Sequence, residues 1–410
     1  MSTLLAIPLL FTLSLCAPPE EGGFALVLKT ADDGLARGAL SGFGSGTAVE
    51  PPEPGQHHVI LVDEEGQAFL RPGQGDIGWL RLEARPSLLM KILARQVAEA
   101  RAVARAALPP LMSTGGFDRS ATQEFADALF AFPAQVDHLR VDVDGSPRTG
   151  FAVDLELSPA GGSGFADFVS ALAPNPEGVP VVDGESASLW MRISLEPAAL
   201  KAAFDPLSRL WAPLYARAGQ EETFQFMRRW LDHMDGTFAT AMGPDGSSMV
   251  MGLRDAESAR AFLASEEYRR FGELALEQSP IMEGRVVIDA FLHRGVSVHL
   301  QEAEAFDEAV AMNPFFSAEN LNSYIAVAGD LLVSSMMGGT EEKMKRLIDR
   351  ALDGEIARAP LPEDAVLELV MDFGALIASA GQSRPQDAPR ELLISASAPG
   401  GRLRVRVTTR

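Results

Sequence analysis

The sequence predicts an α+β fold, an antiparallel sheet or sheets with helices packed on one face, on three observations. A tryptophan-led strand recurs in register, proline stands where a helix follows each copy, and a hairpin then closes each unit. Trp79-Leu-Arg81-Leu-Glu-Ala-Arg85-Pro86-Ser-Leu-Leu89 aligns without a gap on Trp190-Met-Arg192-Ile-Ser-Leu-Glu196-Pro197-Ala-Ala-Leu200. Trp, Arg, Pro and the last Leu coincide, and tryptophan is rare enough to make the match an internal repeat. A fainter third copy runs from Val366 to Leu376. Two full strand-helix-hairpin units and one partial unit are expected.

Each element follows from local chemistry. A first strand is expected near 24–28, then a Gly/Pro/Ser-rich linker over 41–56. In the three repeat strands one alternating set is apolar (Leu80, Leu82, Ala84; Met191, Ile193, Leu195; Leu367, Leu369, Met371), as a half-buried strand requires. Pro86 and Pro197 suit the first helical turn, where no N–H is needed. The first helix extends over 87–108 until Pro109-Pro110; the second, broken by Pro206 and Pro213, resumes over 221–234. Hairpins are read at 138–144 with 150–157, and at 236–242 with 248–252, each after an Asp-His pair (Asp137-His138; Asp232-His233). Asp-Gly supplies the positive φ of such turns. Strands at 285–292, 296–300 and 324–334 precede a helix over 341–352, with Thr340 as N-cap and Gly354 as stop. A last hairpin turns at Pro-Gly-Gly. The resulting divisions are 1–16, 17–75, 76–184 (first unit), 185–360 (second unit with extra strands) and 361–410 (partial third).

The 410 residues carry 56 acidic against 35 basic side chains, a formal charge of -21 that repels phosphate backbones, so no nucleic-acid partner is expected. Residues 4–15 form an apolar run the length of a secretory signal core and too short to span a bilayer, which predicts export to the periplasm or envelope. Its end carries the only cysteine, Cys16. Leu13-Ser14-Leu15-Cys16 resembles the lipobox of bacterial lipoproteins, departing at Leu15 where that pattern has Gly, Ala or Ser. The resemblance implies lipidation at Cys16 and membrane association through that anchor; simple cleavage near Cys16 or Ala17 is the alternative. A chain cleaved after Cys16, or lipidated at it, keeps no free thiol for disulfides or cysteine catalysis.

Candidate chemistry is sparse. Gly73-Gln-Gly75-Asp-Ile-Gly78 has dinucleotide-binding spacing, but a strand follows where a helix N-terminus must, so it reads as a loop. Asp142-Val-Asp144-Gly145 begins like a calcium loop and lacks its later ligands, so it reads as a turn. The serines in the glycine-rich stretches around Gly42 and Gly161 lack nucleophile-elbow spacing. His293 and His299 are the one weak metal pair, weighed against a turn at Gly295 that separates them. The Asp-His pairs are expected at helix ends, where imidazole favours the negative dipole. Trp79 with Arg81, and Trp190 with Arg192, stand two apart on one strand face, a platform for ligand or for packing. Lys91, Arg95, Arg101 and Arg105 against Glu99 give the first helix a basic face, read as solvated and neutralised by acidic neighbours; the alternative is an anionic membrane or partner.

No cofactor and no catalytic set is expected. The function predicted is that of a non-catalytic exported envelope protein binding a partner protein or an apolar ligand. The alternatives are a carrier of lipid or other hydrophobic molecules, and a hydrolase whose carboxylate acid and base converge only in the fold.

Overall fold

The computed structural model describes residues 24–30, 32–42, 56–63, 65, 67–74, 80–112, 123, 127, 130–146, 150–182, 187–202, 204–205, 221–243, 246–277, 282–305, 321–336, 338–372 and 391–409. They combine helices with antiparallel strands and fall into two compact units. One holds the described residues of Met1–Leu108, Gln123–Ser170 and Ala398–Arg410; the other holds those of Pro109–Thr122 and Ala171–Ser397.

In the first unit β1 (Phe24–Thr30) leads into α1 (Asp33–Gly42), a helix the sequence reading did not anticipate, and then into the hairpin of β2 (Gln56–Asp63) and β3 (Ala68–Gln74). Most of the expected linker over 41–56 lies outside the described residues. β4 (Leu80–Ala84) delivers Pro86 as the first residue of α2 (Pro86–Ile92). The chain breaks at Leu93 and continues as α3 (Ala94–Met112), past the prolines expected to stop it. Prolines so near a helix end remove bonds only from its last turn, so the ladder before them survives. The hairpin of β5 (Val136–Ser146) and β6 (Gly150–Pro159) precedes α4 (Gly164–Ala171).

The strands of this unit lie in the order β3-β2-β1-β4-β5-β6, and the strand Leu403–Thr409 pairs antiparallel with β6. Alternation sends Leu26, Leu28, Ile60, Val62, Leu82, Leu139 and Val141 to one face, where Ala36, Ala39 and Leu40 of α1 and Phe165 and Val169 of α4 cover them. Helices on one face are therefore found here as expected. The opposite positions include Lys29, Arg81, Glu83, Arg140, Asp142, Asp154 and Glu156, beside a small buried cluster of Val27, Val59 and Leu61.

The second unit opens with β7 (Val179–Pro180) and β8 (Leu189–Ser194), followed by helical residues 197–202 that begin at Pro197. Then come α5 (Glu221–Trp230), the hairpin of β9 (Met234–Gly243) and β10 (Gly246–Leu253), and α6 (Ala256–Leu263) with α7 (Glu266–Glu277). β11 (Met282–His293) and β12 (Val296–Ala305) join through Arg294 and Gly295, both at positive φ (50° and 81°), the twist a two-residue hairpin loop needs. The stretch read as one strand near 324–334 is a hairpin, β13 (Ser323–Ala328) and β14 (Leu331–Met336), turned by Gly329-Asp330.

α8 (Glu341–Leu352) is capped by Thr340, whose Oγ1 accepts the Lys343 N–H at 3.2 Å, and Gly354 follows at φ 72°. β15 (Arg358–Ala359) pairs with β7, and β16 (Leu367–Asp372) and β17 (Glu391–Ser397) complete the unit. Its sheet runs β11-β12-β13-β14-β10-β9-β8-β16-β17. The strand Leu403–Thr409 of the first unit is β18.

The expectation of helices on one face fails in this second unit. Ala326 and Ala328 of β13 pack with Met344, Leu347 and Ile348 of α8, whereas Val327 and Ile325 pack with Ala259 and Leu263 of α6 and Tyr268 of α7. Both alternating sets of β13 and β14 are apolar, so both faces need cover.

Candidate functional site

The charged face of the first unit is built by period-two alternation. With Leu82, Leu139, Leu155 and Leu403 turned to the core, their neighbours must point the other way. Register then arranges them in rows. Lys29 of β1 stands opposite Arg81, Arg81 opposite Asp142, Asp142 opposite Asp154, and Asp154 opposite Arg406. In the next row Glu83 faces Arg140, Arg140 faces Glu156, and Glu156 faces Arg404. His138 and Ser158 form a third pair, with Arg402 just before β18.

Most of these charges are mutually satisfied. Arg81 and Arg140 both donate to Asp142, Arg140 through Nε at 2.7 Å. Glu156 accepts from Arg402 at 2.7 Å and from Arg404 Nε at 2.9 Å. Burial works against the charge on Glu156, but the two guanidiniums outweigh it and hold its pKa below the usual glutamate value. Burial likewise opposes the charge on Arg140, and Asp142 more than compensates, raising its pKa.

A cavity of about 550 Å³ opens on this face between Lys29, Arg81, Arg140, His138 and Arg402. Glu83 lines it and is only 8% exposed. Lys29 makes no ion pair with any described residue. The ring Nε2 of His138 is buried and has no hydrogen-bond partner among the described residues. What this surface can do chemically is hold an anion: guanidinium and ammonium donors outnumber carboxylates in the wall, while Asp142 and Glu156 are committed to arginine.

The sequence-predicted residues fall elsewhere or take other partners. Trp79 and Cys16 lie outside the described residues. Arg81 turns to Asp142 on the neighbouring strand. Arg192 donates through Nε to Glu368 of β16 at 2.7 Å, directly across in register, while Trp190 stands opposite Val370 and Ala241.

His293 and Val296 are cross-strand partners, which puts His299, three residues further on, on the other face of the hairpin. His293 Nε2 bonds Asp349 of α8 at 2.8 Å, and that bond, reinforced by Arg294, lowers the Asp349 pKa. His299 lies against Tyr268, with ring centroids 6.2 Å apart. The two imidazoles are not brought together, and no group of three or more metal-ligating side chains occurs among the described residues.

Asp142 and Asp144 belong to β5. Of the Asp-His pairs, Asp232-His233 follows α5, and Asp137-His138 begins β5 after a single 3-10 turn at Phe132–Gln135. On α3 the basic face is partly neutralised: Arg101 and Arg105 converge on Asp127, and Arg95 bonds Glu99.

Sequence reading missed the charged face as a site. Its signal was present as charges of both signs at every second position, in His138-x-Arg140-x-Asp142, Asp154-x-Glu156 and Arg402-x-Arg404-x-Arg406. The chain matches no protein-family model, no curated protein and no solved structure.

Proposed function

We propose that the protein is a non-catalytic, exported binding protein of the cell envelope that docks a partner protein on the charged sheet face of its first unit. The observation that carries this reading is the face itself. Lys29, Arg81, Arg140, Arg402, Arg404 and Arg406 stand there among Glu83, Asp142, Asp144, Asp154 and Glu156, a near-balance of charge in a chain whose formal charge is -21. A flat, ordered array of paired charges suits recognition of a protein surface, where electrostatic complementarity sets register and partner choice. It suits an apolar ligand or a lipid less, because the cavity in this face is walled by charged groups. It also suits hydrolysis less, because a carboxylate held ionised by two arginines is a poor proton donor.

The architecture belongs to the same proposal. Strand, helix and antiparallel hairpin recur in β4, α2–α3 and β5–β6, and again in β8, residues 197–202 with α5, and β9–β10, with β16 opening a partial unit; we read these as copies of one ancestral unit. Supporting it, β4 pairs β5 and β5 pairs β6, as β8 pairs β9 and β9 pairs β10.

The test is site-specific photocrosslinking in the native cell. A crosslinking residue at Ser158 or Thr408, both on the face, is expected to give one discrete protein adduct. The same residue at Glu342 on α8 is expected to give none. The adduct should appear in the membrane fraction and move to the soluble fraction in a Cys16→Ala background. Equal adducts from Glu342, or none from either face position, would overturn the docking reading, and unchanged fractionation would remove the anchor.

A further inference from the structure

Three arginines stand on this face at every second residue, Arg402 just before β18 and Arg404 and Arg406 within it. At about 3.4 Å rise per residue their spacing is about 6.8 Å. An extended peptide carries its own alternate side chains at that same spacing. The guanidiniums remain about half exposed, at 57%, 57% and 47% of their side chains. Arg402 and Arg404 each use only part of a five-donor fork on Glu156, so N–H groups remain for a second carboxylate.

We infer that the partner presents an extended acidic segment with a carboxylate at every second residue, laid along β18, with its last carboxylate entering the cavity at the Arg402 end. This rests on the docking reading above. Arg402 belongs to both the row and the cavity wall, which makes the two continuous. Inside, Lys29 supplies a cation free of any described counter-ion, and His138 a ring Nε2 without a hydrogen-bond partner among the described residues.

Asp154 and Glu156 set the selectivity. They stand on the adjacent strand, about 5 Å away, and repel a ligand whose negative charge is continuous. A segment with neutral residues between its acids avoids them. Glu83 in the cavity wall opposes the incoming carboxylate, so removing its charge should tighten binding.

The probe is a fluorescein-labelled, N-acetylated and C-amidated peptide of four Glu-Ser repeats, titrated with the full chain at low salt and followed by anisotropy. Saturable binding is expected, weakened about fivefold or more by Arg404→Glu and by Lys29→Glu, a size set by exposed ion pairs. Glu83→Gln should tighten it, and Arg346→Glu on α8 should leave it unchanged. A peptide of the same composition with its four Glu consecutive should bind several-fold more weakly.

Arg404→Gln, with a circular dichroism spectrum and melting temperature to match the parent, guards against misfolding of the charge-reversed chain. No binding at 1 mM chain, equal binding of the block peptide, or indifference to both Arg404 variants overturns the inference. Crosslinking that survives while the peptide fails leaves the docking reading standing without it. Peptide binding without crosslinking does the reverse.

Discussion

Single side chains show what a sequence conceals. His299 lies six residues from His293, a spacing that suggests a ligand pair, yet its ring is buried beside Tyr268, with the side chain 4% exposed. Its Nδ1 accepts the backbone N–H of Asp289 at 3.3 Å, so that nitrogen carries no proton in the fold. Desolvation lowers its pKa, and the Asp289 carboxylate only partly offsets this.

The unfolded chain therefore takes up the proton first as pH falls through the ordinary value of 6.5. Stability from the neutral ring is complete above that pH and is lost as pH falls through the depressed value of the folded state. Replacing His299 with Asn keeps an acceptor near the Nδ1 position and removes the titration. Urea unfolding from pH 7 to pH 5 should then show a shallower decline than the parent; identical slopes would reject the assignment.

Elements were the most legible level. Leu80–Ala84 and Leu189–Ser194 are strands, Pro86 and Pro197 begin helices, and Thr340 and Gly354 bound α8, because each depends on residues within a few positions. Which face an element buries depends on distant partners, and there the reading was weaker. In β16 the charged Glu368 is 7% exposed, while the apolar Leu367 and Leu369 beside it are half-buried, because Arg192 waits across the sheet.

That pair makes a prediction about sheet stability. Arg192→Met strands a buried carboxylate and should cost about 3 kcal/mol in chemical denaturation. Adding Glu368→Leu should recover most of the loss. If the double variant is no more stable than the single one, the pairing does not hold β8 to β16. Arg81 and Asp142 form the more open counterpart, 32% and 23% exposed, and their loss should cost about 1 kcal/mol.

At the scale of the whole molecule, reading along the chain divides it by successive cuts, and compaction does not follow that order. Residues 398–410 join the unit made mostly of residues before 170. Periodicity reveals that Leu403 to Thr409 is a strand, but the match of Val405 with Leu155 and Val407 with Val153 is a long-range choice among many similar alternations. The charged face was hidden for the same reason, since it exists only once β1, β4, β5, β6 and β18 stand side by side.

That late strand gives the protein a dependence on the order of its own synthesis. A ribosome makes β6 some 240 residues before β18, counting from Pro159 to Leu403. Throughout that interval the backbone of β6 offers unpaired N–H and C=O groups beside Val153, Leu155 and Leu157, the kind of edge that recruits strands from other nascent chains. A chain stopped after Ser397 should retain this hazard permanently and sediment as aggregate at concentrations where the full chain stays in solution. A peptide spanning 398–410, supplied during refolding, should reduce that loss. Aggregation unaffected by the peptide would mean that the open edge of β6 is not its source.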